Sequence, residues 1–329
     1  MNGGVFSRIA ISGFNSGMRL MQSVAKRYWA CVFLSFACAA LLIACASAPR
    51  MIAIPPVAES DRPRVDRSTD YPEVLAAIAF IMARDLDLPV VGGSVTFFPT
   101  PVAYEAGVVA ESQRDLEHLR KQMGIQARQL NEKAAEEGVI FAARRTAASS
   151  MAVGMHMRVL VNERQLTRQP WWERARVLAH ELTHMFERAL IEGRLVLWDR
   201  WLSEGFADWV SYAVLDRLGA DNFAKNRKAK VDEIARAKSR QAFPTLTQLV
   251  TGEEWVTWLQ TLGPAATYTQ AFLAVDLLVE RKGLPAFVEY FRLFGTLSNR
   301  ERNFLSAFGE PVATFEEKFS QHLKALSGR

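Results

Sequence analysis

The sequence predicts an α+β chain, with a small sheet in its first half and a helical second half. Three observations predict it. Short β-like runs at 94–98, 139–141 and 157–162 all fall before residue 163. From Pro170 onward apolar residues recur at helical spacing, with Gly193, Gly219, Gly283 and Gly295 as stops. Half of the 329 residues are apolar, enough for one large domain or two lobes sharing a cleft.

The first element is an address. Lys26 and Arg27 precede an apolar run over 28–44, the pattern of a secretory signal. The run ends in Leu42-Ile43-Ala44-Cys45, which resembles the bacterial lipobox, where cleavage precedes a cysteine that is then lipidated. Residues 1–44 are thus expected as signal peptide and Cys45 as the acylated first residue. An uncleaved anchor and plain secretion remain as alternatives. All three place the remainder outside the cytoplasm, and the lipid-anchored form is expected on the periplasmic side of the outer membrane if the host is Gram-negative. Residues 45–70 hold Pro49, Pro55, Pro56 and Pro63 among polar residues, and read as an extended tether.

The folded domain is expected over 71–329, with a sheet-containing lobe at 71–193 and a helical lobe at 194–329. Val74, Leu75, Ile78, Ile81 and Met82 set a helical period over 71–86. Residues 94–98 form a strand closed by Pro99 and Pro101, and 111–137 a charged helix with a weak apolar stripe. Residues 139–141 and 157–162 are the further strands. In the last, Met157, Val159 and Val161 share one face, as in a half-buried strand. Residues 225–240 are rich in Lys and Arg and read as a solvated helix face, with an anionic surface as the rarer alternative.

Charge and cysteines exclude several functions. The formal charge is +5, but the first 44 residues hold Arg8, Arg19, Lys26 and Arg27 with no acid, leaving 36 basic against 35 acidic residues. That near-neutral balance argues against a nucleic-acid partner. The three cysteines, Cys31, Cys38 and Cys45, lie within or at the end of the apolar run, so any metal site downstream must use His and carboxylates.

Such a set is present. His180 and His184 lie four apart in a predicted helix between Pro170 and Gly193, which puts both imidazoles on one face, one turn apart, able to grip one tetrahedral ion. Glu181, one position beyond the first His, can reach a water on that ion without being a ligand. Nineteen residues separate His184 from Glu204, which opens the string Glu204-Gly205-Phe206-Ala207-Asp208 after Ser203. Glu204 and Asp208 face the same way at i and i+4, and Ser203 is placed to cap a helix. Glu204 could alternatively be a helix N-terminal acid favoured by the dipole, and Glu192 and Asp199 are competing carboxylates.

The H-E-x-x-H at 180–184 followed by this second motif resembles the gluzincin zinc metallopeptidases. The spacing matches the thermolysin-like branch, and the string Trp201-Leu202-Ser203-Glu204-Gly205-Phe206-Ala207 is similar to one in zinc aminopeptidases. The resemblance implies a zincin-like fold with a sheet lobe and a helical lobe around the zinc helix. It implies one Zn²⁺ held by His180, His184 and Glu204, with Asp208 bonded to a ligand histidine from behind. Glu181 would be general base in the hydrolysis of a peptide or protein substrate. The family's strand before the zinc helix, here 157–162, would pair with an extended substrate. The thermolysin-like catalytic histidine has no counterpart, since His322 is the single histidine after Glu204 and lies near the chain end. Tyr268 could supply an oxyanion donor, as a tyrosine does in the related aminopeptidases, or be a buried residue at a helix start. No exopeptidase signature precedes the motif, which favours an endopeptidase. The reading from a different class is a non-catalytic metal-binding envelope lipoprotein with an assembly or chaperone role.

Overall fold

Among the described residues, a four-stranded sheet is joined to a largely helical remainder. The computed structural model describes residues 48–54, 57, 64–66, 69–90, 92–123, 132–155, 157–191, 199–238 and 242–327. The expected signal and Cys45 lie outside them, as do Glu192 and Gly193. Strands β1 (Arg50–Ala53), β2 (Ser94–Phe98), β3 (Ala152–Met155) and β4 (Arg158–Asn162) lie in the order β1-β2-β4-β3. β1 runs antiparallel to β2 (Met51↔Thr96), β2 parallel to β4 (Val95↔Val159), and β3 antiparallel to β4 (Gly154↔Val159).

Strand β1 falls inside the stretch expected as a tether; Arg50, Met51, Ile52 and Ala53 find a partner in β2, a pairing that local composition does not signal. The sheet is covered on both faces. Val95, Phe97, Val159 and Val161 point into the main core, while Phe98, Met155 and Leu160 feed a second, smaller one. β4 is therefore buried on both sides and not half-buried as its alternation suggests.

Helix α1 (Tyr71–Phe80) continues as a π-helical turn, Ile81–Asp85, and packs its apolar face on the sheet. Helices α2 (Pro101–Met123) and α3 (Glu132–Ser149) pack together over the second core. They correct two expectations. Pro101 opens a helix instead of only closing a strand, because a proline fits a first turn. Residues 139–141 lie inside α3, since three β-prone residues cannot overrule the Ala- and Glu-rich helix formers on either side.

A single turn, α4 (Glu163–Leu166), leads to α5 (Trp171–Leu190), which Pro170 precedes as N-cap. Then come α6 (Arg200–Leu218), α7 (Phe223–Lys238), α8 (Gly252–Leu262), α9 (Tyr268–Lys282), α10 (Leu284–Phe294), α11 (Arg300–Phe308) and α12 (Val312–Ser327). Gly219 ends α6 in the left-handed conformation, at φ 68°. Helix α6 is buried along most of its length, between α5 on one side and α9 on the other. Gly205 allows that approach, because a Cβ there would collide with the backbone carbonyl of Ala271 in α9. Among the described residues no helix is long and apolar enough to cross a membrane.

Candidate metal centre

Helix α5 lies against the edge strand β3 with one face and against α6 with another, and His180, Glu181 and His184 sit where these surfaces meet. Helix α6 begins earlier than its sequence suggests. Asp199 is the N-cap, and Ser203 lies buried inside the helix instead of capping it. Glu204 is thus beyond the first turn, so the helix-dipole explanation of that acid does not apply. The competing carboxylate Asp199 is turned away into an ion pair with Arg300.

The two imidazoles and Glu204 converge. His180 Nε2 and His184 Nε2 are 3.1 Å apart, and Glu204 Oε2 lies 3.3 Å from the first and 3.6 Å from the second. A tetrahedral ion bound at about 2.0–2.1 Å would hold its ligand atoms about 3.3–3.4 Å apart. The observed triangle has a circumradius of about 1.9 Å, so an ion would sit just off its plane at normal bond lengths. The other carboxylate oxygen, Oε1, takes Arg200 Nη2 at 2.5 Å, which leaves Glu204 a single oxygen for the shared point.

Electrostatics favour a cation there. Burial alone would lower the pKa of both histidines, but the carboxylates of Asp208, Glu204 and Glu187 outweigh it and raise the pair. Burial opposes ionisation of Glu204, yet Arg200 and the histidines hold it well below the usual carboxylate range. These buried donors fit a divalent first-row ion, for which two imidazoles and one carboxylate are a suitable set.

Behind each histidine stands an acid. His180 Nδ1 is 3.1 Å from Asp208 Oδ1, the carboxylate expected there. Asp208 also receives Arg176 Nη1 at 3.1 Å and Lys230 Nζ at 3.3 Å, and it stays ionised far below its ordinary pKa despite burial. Lys230 comes from the helix read as a solvated face. Its ammonium instead sits 5.0 Å over the Tyr212 ring and 4.9 Å over Phe272. His184 Nδ1 is 3.1 Å from Glu187 Oε2, a contact that sequence reasoning missed. The signal was present, since Glu187 lies three residues beyond His184 on the same helix, but such a glutamate ordinarily marks a solvated surface.

Glu181 is brought beside this cluster and is not part of the triad. Its Oε2 accepts a 2.5 Å hydrogen bond from Gly154 N–H of β3. Gly154 is the second missed residue. A Cβ there would lie 2.6 Å from Glu181 O and 2.9 Å from His184 Cβ, so only glycine lets the strand approach the helix this closely. Tyr268 also reaches the centre, its ring 6.4 Å from that of His180 and edge-on to Trp255 at 5.0 Å. The charge of Glu204, then burial, raise its phenol pKa, so it stays a proton donor. His322 lines neither cavity at the site.

Two cavities meet at the cluster, and His180, Glu181, Tyr268 and Ala152 line both. One, of about 390 Å³, continues past Arg176, Tyr212 and Lys230. The other, about 770 Å³, runs between the α2–α3 pair (Val108, Val139, Ala142) and α8 (Trp255, Val256, Leu259). Strand β4 lies inside the sheet, with both edges taken by β2 and β3, and so cannot pair with a substrate as expected. Of the two edge strands, β1 and β3, it is β3 that lines the cavity. Asn162 N donates to Met151 O, so by antiparallel alternation Ala152 and Gly154 turn their backbone groups outward toward the cleft.

Comparison with known proteins finds no matching family model, no matching curated protein and no matching solved structure.

Proposed function

We propose that the chain is a zinc-dependent peptidase of the gluzincin type that hydrolyses peptide bonds of a peptide or protein substrate in the cell envelope. One observation carries this reading: three converging ligand atoms at tetrahedral spacing, from buried His180 and Glu204 and half-buried His184, with a fourth side chain, Glu181, beside them and facing an open cleft. A bound divalent ion supplies the Lewis acidity that makes water a nucleophile near neutral pH. Glu181 takes the proton of that water and returns it to the leaving nitrogen. Gly154 N–H holds Oε2 of Glu181 in place and leaves Oε1 for the water. Tyr268 offers its hydroxyl to the carbonyl oxygen as charge develops on it. The outward backbone groups of Ala152 and the carbonyl of Gly154 hold an extended chain by its backbone, with little regard for side chains. Room on both sides of the centre favours an internal bond over a terminal one.

The envelope location rests on the N-terminal signal and Cys45, which anchor the chain to a membrane by lipid. Hydrolysis of an unfolded protein, with and without chelator, tests the reaction. The wild type should cleave and chelator should stop it, while Glu181→Gln should lose about 10²–10⁴ in rate and keep its metal. Near wild-type cleavage by Glu181→Gln would overturn the mechanism. Metal uptake without hydrolysis would point instead to the assembly or chaperone role.

A further inference from the structure

The two carboxylates behind the histidines differ in what balances them. Asp208 is paired with two cations, Arg176 and Lys230, before any metal is considered. Glu187 is 1% exposed and, among the described residues, forms an ion pair with no Lys or Arg. Its Oε2 takes the Ser203 hydroxyl at 2.5 Å as well as His184 Nδ1, and its Oε1 has no hydrogen-bond partner among the described residues. A buried carboxylate left this bare is costly unless a nearby positive charge offsets it. Two charges inside the site can offset it: that of His184 when protonated, at 3.1 Å, or that of an ion at the point on which His184 Nε2 converges.

We propose that Glu187 is a positioning residue of the metal centre: it holds His184 with Nδ1–H toward itself and Nε2 toward the ion, and contributes a negative charge that the ion offsets. A carboxylate with no competing cation polarises the imidazole behind it strongly and makes it a better ligand. Ser203 fixes the carboxylate from the next helix, so α5 and α6 set the geometry of His184 together. The inference rests on the metal reading above but not on peptidase activity.

The test compares wild type, Glu187→Gln and Ser203→Ala for zinc affinity by chelator competition, for the visible spectrum of the cobalt(II) form, and for melting with and without metal. Glu187→Gln should lose about 10–100-fold in affinity and shift the cobalt bands. Its metal-free Tm should fall by less than its metal-loaded Tm, because without the ion only protonated His184 faces the carboxylate, so the metal-induced gain in Tm shrinks. Ser203→Ala should lose affinity in the same direction by less. Wild-type affinity in Glu187→Gln would overturn the proposal. So would failure to fold, or a metal-free Tm that falls in step with affinity, since either marks a merely structural role. A wild type that binds no divalent ion would sink the metal reading itself.

Discussion

Replacing Gly154 with alanine probes the contact between β3 and α5, the helix that carries His180 and His184. The new Cβ would stand 2.6 Å from Glu181 O, where a carbon and a carbonyl oxygen normally keep about 3.3 Å. Backbone lies on both sides of this contact, so the strand has to retreat by roughly 0.7 Å. Overpacking of this kind costs about 1–3 kcal/mol. Stretching the Gly154 N–H bond to the Glu181 carboxylate adds about 1.5–3 kcal/mol at most. Loss of glycine's freedom in the unfolded chain returns about 0.4–1 kcal/mol. The net loss is about 2–4 kcal/mol, and displacing Glu181, the proposed general base, should cut turnover by up to about 100-fold. Gly138 is the control: it is exposed in the middle of α3, and a Cβ added there would meet nothing within 4 Å, so Gly138→Ala should stabilise by about 0.5–1 kcal/mol. Thermal melts and turnover of both variants decide. A Gly154→Ala protein with wild-type Tm and rate would refute the argument that this contact positions Glu181.

Three further outcomes follow from the same geometry. Tyr268→Phe should keep the metal and lower kcat by about 10²–10³ if the phenol stabilises an oxyanion, and change little if it only packs against Trp255. The histidine pair is raised in the folded metal-free state, so the stability it contributes is fully present below the unfolded pKa of 6.5 and is lost as pH climbs through the raised values. Metal-free protein should therefore melt lower as pH rises above 6.5, and metal-loaded protein should not show that loss; equal slopes would contradict the electrostatic account. Cys45→Ser should abolish palmitate labelling and precursor maturation, and unchanged labelling would remove the lipid anchor.

The candidate metal ligands are legible in the sequence because a helix turns covalent spacing into geometry. His180 and His184 at i and i+4 must share a face, and Glu204 and Asp208 repeat the spacing on the next helix. The residues that complete the centre are hidden for physical reasons. Glu187, Arg200 and Lys230 are charged residues of kinds usually found in solvent, and only tertiary packing turns them inward. Strands β1 and β3 are four residues long, too short to show a period, and the value of Gly154 in β3 lies in close approach to α5. Ser203 has a side chain that suits a cap, but the helix starts at Arg200 and the hydroxyl serves Glu187 instead.

The most direct test of the account is the metal content of purified protein after dialysis against dilute zinc. Wild type and Glu181→Gln should each retain one ion per chain, whereas His184→Ala and Glu204→Ala should fall well short of it. An ion lost by Glu181→Gln, or kept at wild-type affinity by Glu204→Ala, would contradict the assignment of His180, His184 and Glu204 as ligands with Glu181 outside them.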